Sequence, residues 1–209
     1  MESRVLARAF DDVKVSRACF GSMTFGLQND RAAAARLVDI CLERGVDFFD
    51  TANVDSIGVA ETMLWKALKG PRDKVVLASK VRLAMGDGPQ ESGLSRAAIT
   101  RAIEGSLTRL QTDYLDIYCL HAPDWGTPIE KTLETMDRLV RAGRRMVDLS
   151  LSWLPHRTAA GCIVLGASNE ERSIENLDAF ERGPLSQDAL AACDAVWQKL
   201  RGITPKYNR

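Results

Sequence analysis

Three apolar runs in this chain each end on a charged or titratable side chain. Val46 to Phe49 stops at Asp50, Val75 to Ala78 leads to Lys80, and Leu115 to Leu120 stops at His121. Between them lie segments with apolar residues at helical spacing. Arg31 to Arg44 carries Ala34, Leu37, Val38, Cys41 and Leu42 with Gly45 as its stop, and Ser95 caps a helix that presents Ala98, Ile99, Ile103, Leu107 and Leu110 on one face. Strand and helix in alternation is the pattern of a parallel sheet, in which every strand delivers its C-terminal end to one rim. Asp50, Lys80 and His121 are therefore expected to converge. At one strand alone, a polar residue that merely opens a loop is the better explanation. Three in register favour a site.

The same reading places a first strand at Ala18 to Phe20, a helix at Val59 to Leu68 before Gly70-Pro71, a turn-rich loop at Gly86 to Pro89, and a helix from Pro128 to Gly143. Further on, it expects closing helices at Ser173 to Phe180 and Gln187 to Leu200. Val147 to Trp153 alternates strictly, which by periodicity alone argues a strand. A chain of 209 residues, 45% hydrophobic and 27% charged, can bury a full core as one domain spanning 1–209. Lys plus Arg balances Asp plus Glu at 28 each, so no net field draws it toward nucleic acid or an anionic membrane. Without an apolar leader or a run near the ~20 residues of a membrane span, a cytoplasmic location is expected. Five cysteines in odd number, Cys19, Cys41, Cys119, Cys162 and Cys193, read as reduced core residues. No metal-ligand spacing is present, and His156 reads as a surface helix-end residue.

Four stretches resemble the aldo-keto reductase family: Gly21-Ser22-Met23-Thr24-Phe25-Gly26, Arg44 to Ala52, Leu77-Ala78-Ser79-Lys80, and Ser106 to His121. Ala122 to Pro128, Gly183-Pro184-Leu185 and the terminal Pro205 to Arg209 resemble its aflatoxin-aldehyde reductase branch. The resemblance implies an eight-stranded α/β barrel and hydride transfer from NADPH to a small-molecule carbonyl, served by an Asp, a Tyr, a Lys and a His. It covers residues 4–144 and 145–209 as two blocks, since Arg145 to Arg157 resembles the family's seventh helix, a reading followed here over the alternation of Val147 to Trp153, and Cys162 to Gly166 resembles its eighth strand. About three strand-helix units are then absent. The expected fold is α/β, an incomplete TIM-type (β/α) barrel of parallel strands joined by helices. Its open strand edges and uncovered barrel-facing residues such as Ile117 and Cys119 would drive self-association.

The implied catalytic set is Asp50, Lys80, His121 and, where the family has its proton-donating Tyr, Asp55. Beside Lys80, Asp55 is expected to be an anion with a depressed pKa, which disables ordinary reduction. Sharing a proton with Asp50 is the other possibility. By resemblance Gly21, Ser22 and Met23 lie near the nicotinamide, while Ser168, Arg172 and Asn176 hold the adenosine and its 2′-phosphate. NADP binding is expected to be weak, because the family's nicotinamide clamp belongs to the absent stretch. Trp125 reads as pocket lining, and Arg209 resembles a terminal Arg that binds acidic aldehydes. Two other functions stay open: a non-redox acid-base enzyme acting on a carbonyl, and an inactive binding partner.

Overall fold

The computed structural model describes residues 3–5, 14–68, 70, 72–141 and 163–181. In chain order these form β1 (Ser3–Val5), β2 (Lys14–Ser16), β3 (Ala18–Gly21), α1 (Arg31–Glu43), β4 (Phe48–Asp50), α2 (Val59–Leu68), β5 (Val76–Val81), α3 (Arg96–Leu110), β6 (Ile117–Leu120), α4 (Ile129–Arg141), β7 (Ile163–Leu165) and α5 (Glu170–Glu181). Strands β3 to β7 build one parallel sheet in the order β6-β5-β4-β3-β7. The last strand returns to the first, as an α/β barrel requires. Antiparallel β1 and β2 form a separate pair that the sequence reading missed, because three residues each leave no periodicity to detect. The expected elements at Val147 to Trp153 and Gln187 to Leu200 lie outside the described residues, as do Cys162, Cys193, His156 and Arg209.

Local chemistry sets the helix ends. Asp30 Oδ1 accepts from Ala33 N at 2.9 Å to start α1, and Gly45 takes a φ of +75° past its end. Ser95 Oγ caps α3 through Ala98 N at 3.2 Å. Alternation along the strands then sorts two cores. Ala18, Phe20, Phe49, Leu77, Val81, Tyr118 and Leu120 pack outward against α1, α2 and α3, while Cys19, Phe48, Ala78, Ile117 and Cys119 share the inner face with Val15 from β2. Ile117 and Cys119 are thus buried, at 7% exposed each, where the sequence reading had them uncovered. Val15 closing the inner face is part of the reason. The inner residues of β5 are Val76, Ala78 and Lys80, so the two-residue period that buries Ala78 also presents Lys80 to the inner rim.

Candidate active site

Asp50 ends β4 and Lys80 occupies the last turn of the pleat in β5, on neighbouring parallel strands. Their side chains meet in an ion pair, Lys80 Nζ donating to Asp50 Oδ2 and also to the Thr51 carbonyl at 2.9 Å. His121 follows β6, its N–H bonded to the Val81 carbonyl at 2.8 Å, and Lys80 is near enough to act on its charge. The expected convergence of Asp50, Lys80 and His121 on one rim is what the fold produces.

Asp55 joins them from the 3-10 turn Asp55–Gly58, which follows β4 directly. The expected Asp55–Lys80 pair does not form, since Lys80 is engaged by Asp50. Among the described residues no ion pair holds the Asp55 carboxyl, and a backbone hydrogen bond from Ala52 offsets only part of the effect of its burial. Nor is its pKa depressed. Burial pushes it up to about 6, Lys80 pulls against this, and the Asp50 charge adds to the rise. The physical reason is burial, which outweighs the pull of the Lys80 ammonium. Asp50 itself is raised by burial against the opposing pull of Lys80. His121 is lowered, first by burial and then by Lys80, so its imidazole is neutral at neutral pH, and its Nδ1 is buried without a hydrogen-bond partner.

Beside these, Ser22 and Thr51 are buried with unpartnered hydroxyl oxygens. The Ser22 N–H is bonded to the Asp50 carbonyl at 2.9 Å, so Gly21-Ser22 borders the rim that holds Asp50 and Lys80. Met23 stands 66% exposed. Across the β3–β7 seam, Thr24 Oγ1 donates to the Ala167 carbonyl at 3.1 Å and Asn29 Nδ2 to that of Ser168 at 2.8 Å, tying this loop to the start of α5. There Arg172 Nη1 donates to Ser168 Oγ at 2.8 Å, its N–H goes to Asn169 Oδ1 at 2.9 Å, and Asn176 Nδ2 donates to the Gly166 carbonyl at 3.1 Å. A guanidinium at a helix N-terminus is a sound place for a phosphate. Ser168 and Arg172 thus fit one end of a dinucleotide, and the unpartnered Ser22 hydroxyl fits a polar ligand beside the rim. Trp125, read as pocket lining, instead stands 85% exposed, since Asp124 turns back to accept from Leu94 N at 2.7 Å and Thr127 Oγ1 at 2.8 Å.

Residues 17–145 match the model of the Aldo/keto reductase family. The chain belongs to the aldo/keto reductase family. It is similar to an oxidoreductase of Bacillus subtilis strain 168 named YrpG and described as uncharacterized, with 41% identity over 155 residues that cover 69% of this chain and 47% of that one. It also resembles the aldo-keto reductase YhdN of the same organism, 38% identical over 117 residues, or 55% of this chain and 35% of that one. A probable voltage-gated potassium channel subunit beta of Arabidopsis thaliana is 38% identical over 135 residues, or 63% of this chain and 41% of that one. The chain spans less than half the length of each of these relatives. Two features of the structure escaped the sequence reading. One is Asn53, buried two residues before Asp55; the other is a buried network in which Glu61 accepts from Ser79 Oγ and Arg109 Nε, both at 2.6 Å. A Glu inside an apolar helix pattern, Val59 to Leu68, was the available signal for the second.

Proposed function

We propose that this aldo/keto reductase chain carries out NADP-dependent reduction of an aldehyde or ketone, with Asp55 in the place of the family's proton-donating Tyr. The observation behind this reading is an Asp55 carboxyl with no ion-pair partner among the described residues, its pKa raised to about 6, beside the Asp50–Lys80 pair and a neutral His121. NADPH, held by Ser168 and Arg172 at one end and lying near Ser22 at the other, would supply the hydride to the carbonyl carbon. Asp55, while protonated, gives its proton to the carbonyl oxygen, leaving an alcohol and a carboxylate. Asp50 holds the Lys80 ammonium in place, and His121 offers a neutral imidazole to orient the carbonyl. The tail and the Ala122 to Pro128 stretch support the aflatoxin-aldehyde reductase branch, and a cytoplasmic location fits the composition. Binding of the dinucleotide is weak, because each nicotinamide contact the chain lacks forfeits about 1 kcal/mol.

The test is NADPH oxidation with an aldehyde panel from acid to neutral pH. Activity is expected below about pH 6, falling as Asp55 loses its proton. Asp55→Asn abolishes it, and Asp55→Tyr restores activity at neutral pH. Brisk neutral turnover that Asp55→Asn leaves unchanged refutes the assignment. A second reading rests on the same acid beside a neutral imidazole: a non-redox isomerisation or dehydration of a carbonyl compound. Turnover without any nucleotide separates it from the first.

A further inference from the structure

Behind the rim, the loop that leaves β5 and helix α3 enclose a cavity of roughly 400 Å3. Ala98 and Ala102 on α3 line one side, where the Arg109 guanidinium lies over Gly105, and Asn53 lines the cavity beside Val81. Asn53 is 2% exposed and its Oδ1 is buried with no partner, while its main chain is spent on the Lys80 carbonyl at 3.3 Å. A buried amide oxygen without a partner is costly, and a carboxamide carries an acceptor and a donor side by side. Guanidiniums border the space in fixed positions: Arg82 through the Pro123 carbonyl at 3.0 Å, Arg101 through Glu91, and Arg109 through the buried Glu61. The loop is itself closed by Gly93 N–H on the Arg82 carbonyl at 2.8 Å.

We infer that this cavity is a second ligand site, distinct from the carbonyl-reducing rim, for a small planar amide or lactam paired edge-on with Asn53. The carboxamide matches a group that presents an N–H beside a C=O. The small side chains of Ala98 and Ala102 leave room for a flat ring, and the Arg109 guanidinium over Gly105, held by the buried Glu61, suits its π-face. Charge does not select the ligand, since Glu91 and Glu61 neutralise two of the three arginines. The volume lies within the ordinary range of ~300–1,000 Å3 for small-molecule sites. The inference holds whether or not the rim reduces carbonyls, because no redox step enters it.

Uracil, which carries N–H beside C=O, and 1,3-dimethyluracil, which has no N–H, are the probes. Titration followed by NMR on the whole chain should move the Asn53 side-chain amide resonance with uracil and leave it in place with the dimethyl form. Asn53→Asp, nearly isosteric, and Ala102→Phe, which fills the cavity, should each weaken uracil binding by about tenfold or more. No movement with uracil overturns the inference, as does equal movement with both probes. Binding unchanged in Ala102→Phe overturns it too.

Discussion

Asp55 has the most to gain from removal of its charge. Its folded pKa of about 6 lies above the ordinary 3.8, so the ionised form is less welcome in the folded protein than in the unfolded chain. The stability it contributes is complete below the unfolded value and is lost as pH rises through the folded one. Asp55→Asn is therefore expected to stabilise the protein at neutral pH by about 1 kcal/mol, after a discount for its partial exposure, and by nothing at pH below the unfolded value. Denaturant midpoints at two pH values read this directly. Glu61, by contrast, has partners. It is fully buried with Ser79 and Arg109 as partners, and Tyr118 is raised well above its usual range by burial first and then by the Glu61 charge. Glu61→Ala leaves Ser79 without its acceptor and Arg109 without its counterion, and is expected to cost about 3 kcal/mol in chemical denaturation. Cys41, whose thiol burial pushes up to about 12 against a lowering Ser173 bond, should resist alkylation in the native state.

Among the elements, the turn Asp55–Gly58 is under strain. Ser56 and Ile57 hold φ values of +49° and +50°, and Gly58 +82°. Isoleucine in the left-handed region is costly, and 61% exposure returns little of that cost through packing. Close neighbours keep the turn in place: Ser56 Oγ donates to the Phe25 carbonyl at 2.6 Å, and a Cβ on Gly58 would lie 2.6 Å from the Arg109 side chain. Ile57→Gly should raise stability by about 1 kcal/mol, the relief exceeding the extra entropy glycine gives the unfolded chain. Gly58→Ala should destabilise, because its methyl meets Arg109 in a backbone that disfavours it. Thermal melts of the two variants should move in opposite directions. Helix α3 offers a cleaner case, as Ser95→Ala removes one cap bond at an expected cost of ~1 kcal/mol.

For the whole molecule, β6 and β7 each pair with a single strand among the described residues, which leaves self-association through strand edges as a proposal. Light scattering across a concentration series is expected to show more than the monomer, and a monodisperse monomer at all concentrations rules it out. The drive would come from the edges and not from Ile117 or Cys119, which are buried. Much of this molecule was legible in sequence because its cause is local. The two-residue period of Val75 to Lys80, the helical period of Ser95 to Leu110 and the Ser95 cap each depend on neighbours a few positions away, and strand ends in a parallel sheet share a rim by geometry alone. That sufficed to bring Asp50, Lys80 and His121 together. Which carboxyl takes the lysine did not follow from spacing, since Asp50 ends β4 and Asp55 lies in the turn just beyond it. Only the packed structure decided it, by setting Lys80 against Asp50 and leaving Asp55 to burial. The same is true of Asn53, whose isolation arises where β4, β5 and α3 meet. Burial and charge are sums over residues far apart in the chain, so the pKa of Asp55 and the empty hydrogen-bonding capacity of Asn53 belong to the tertiary fold.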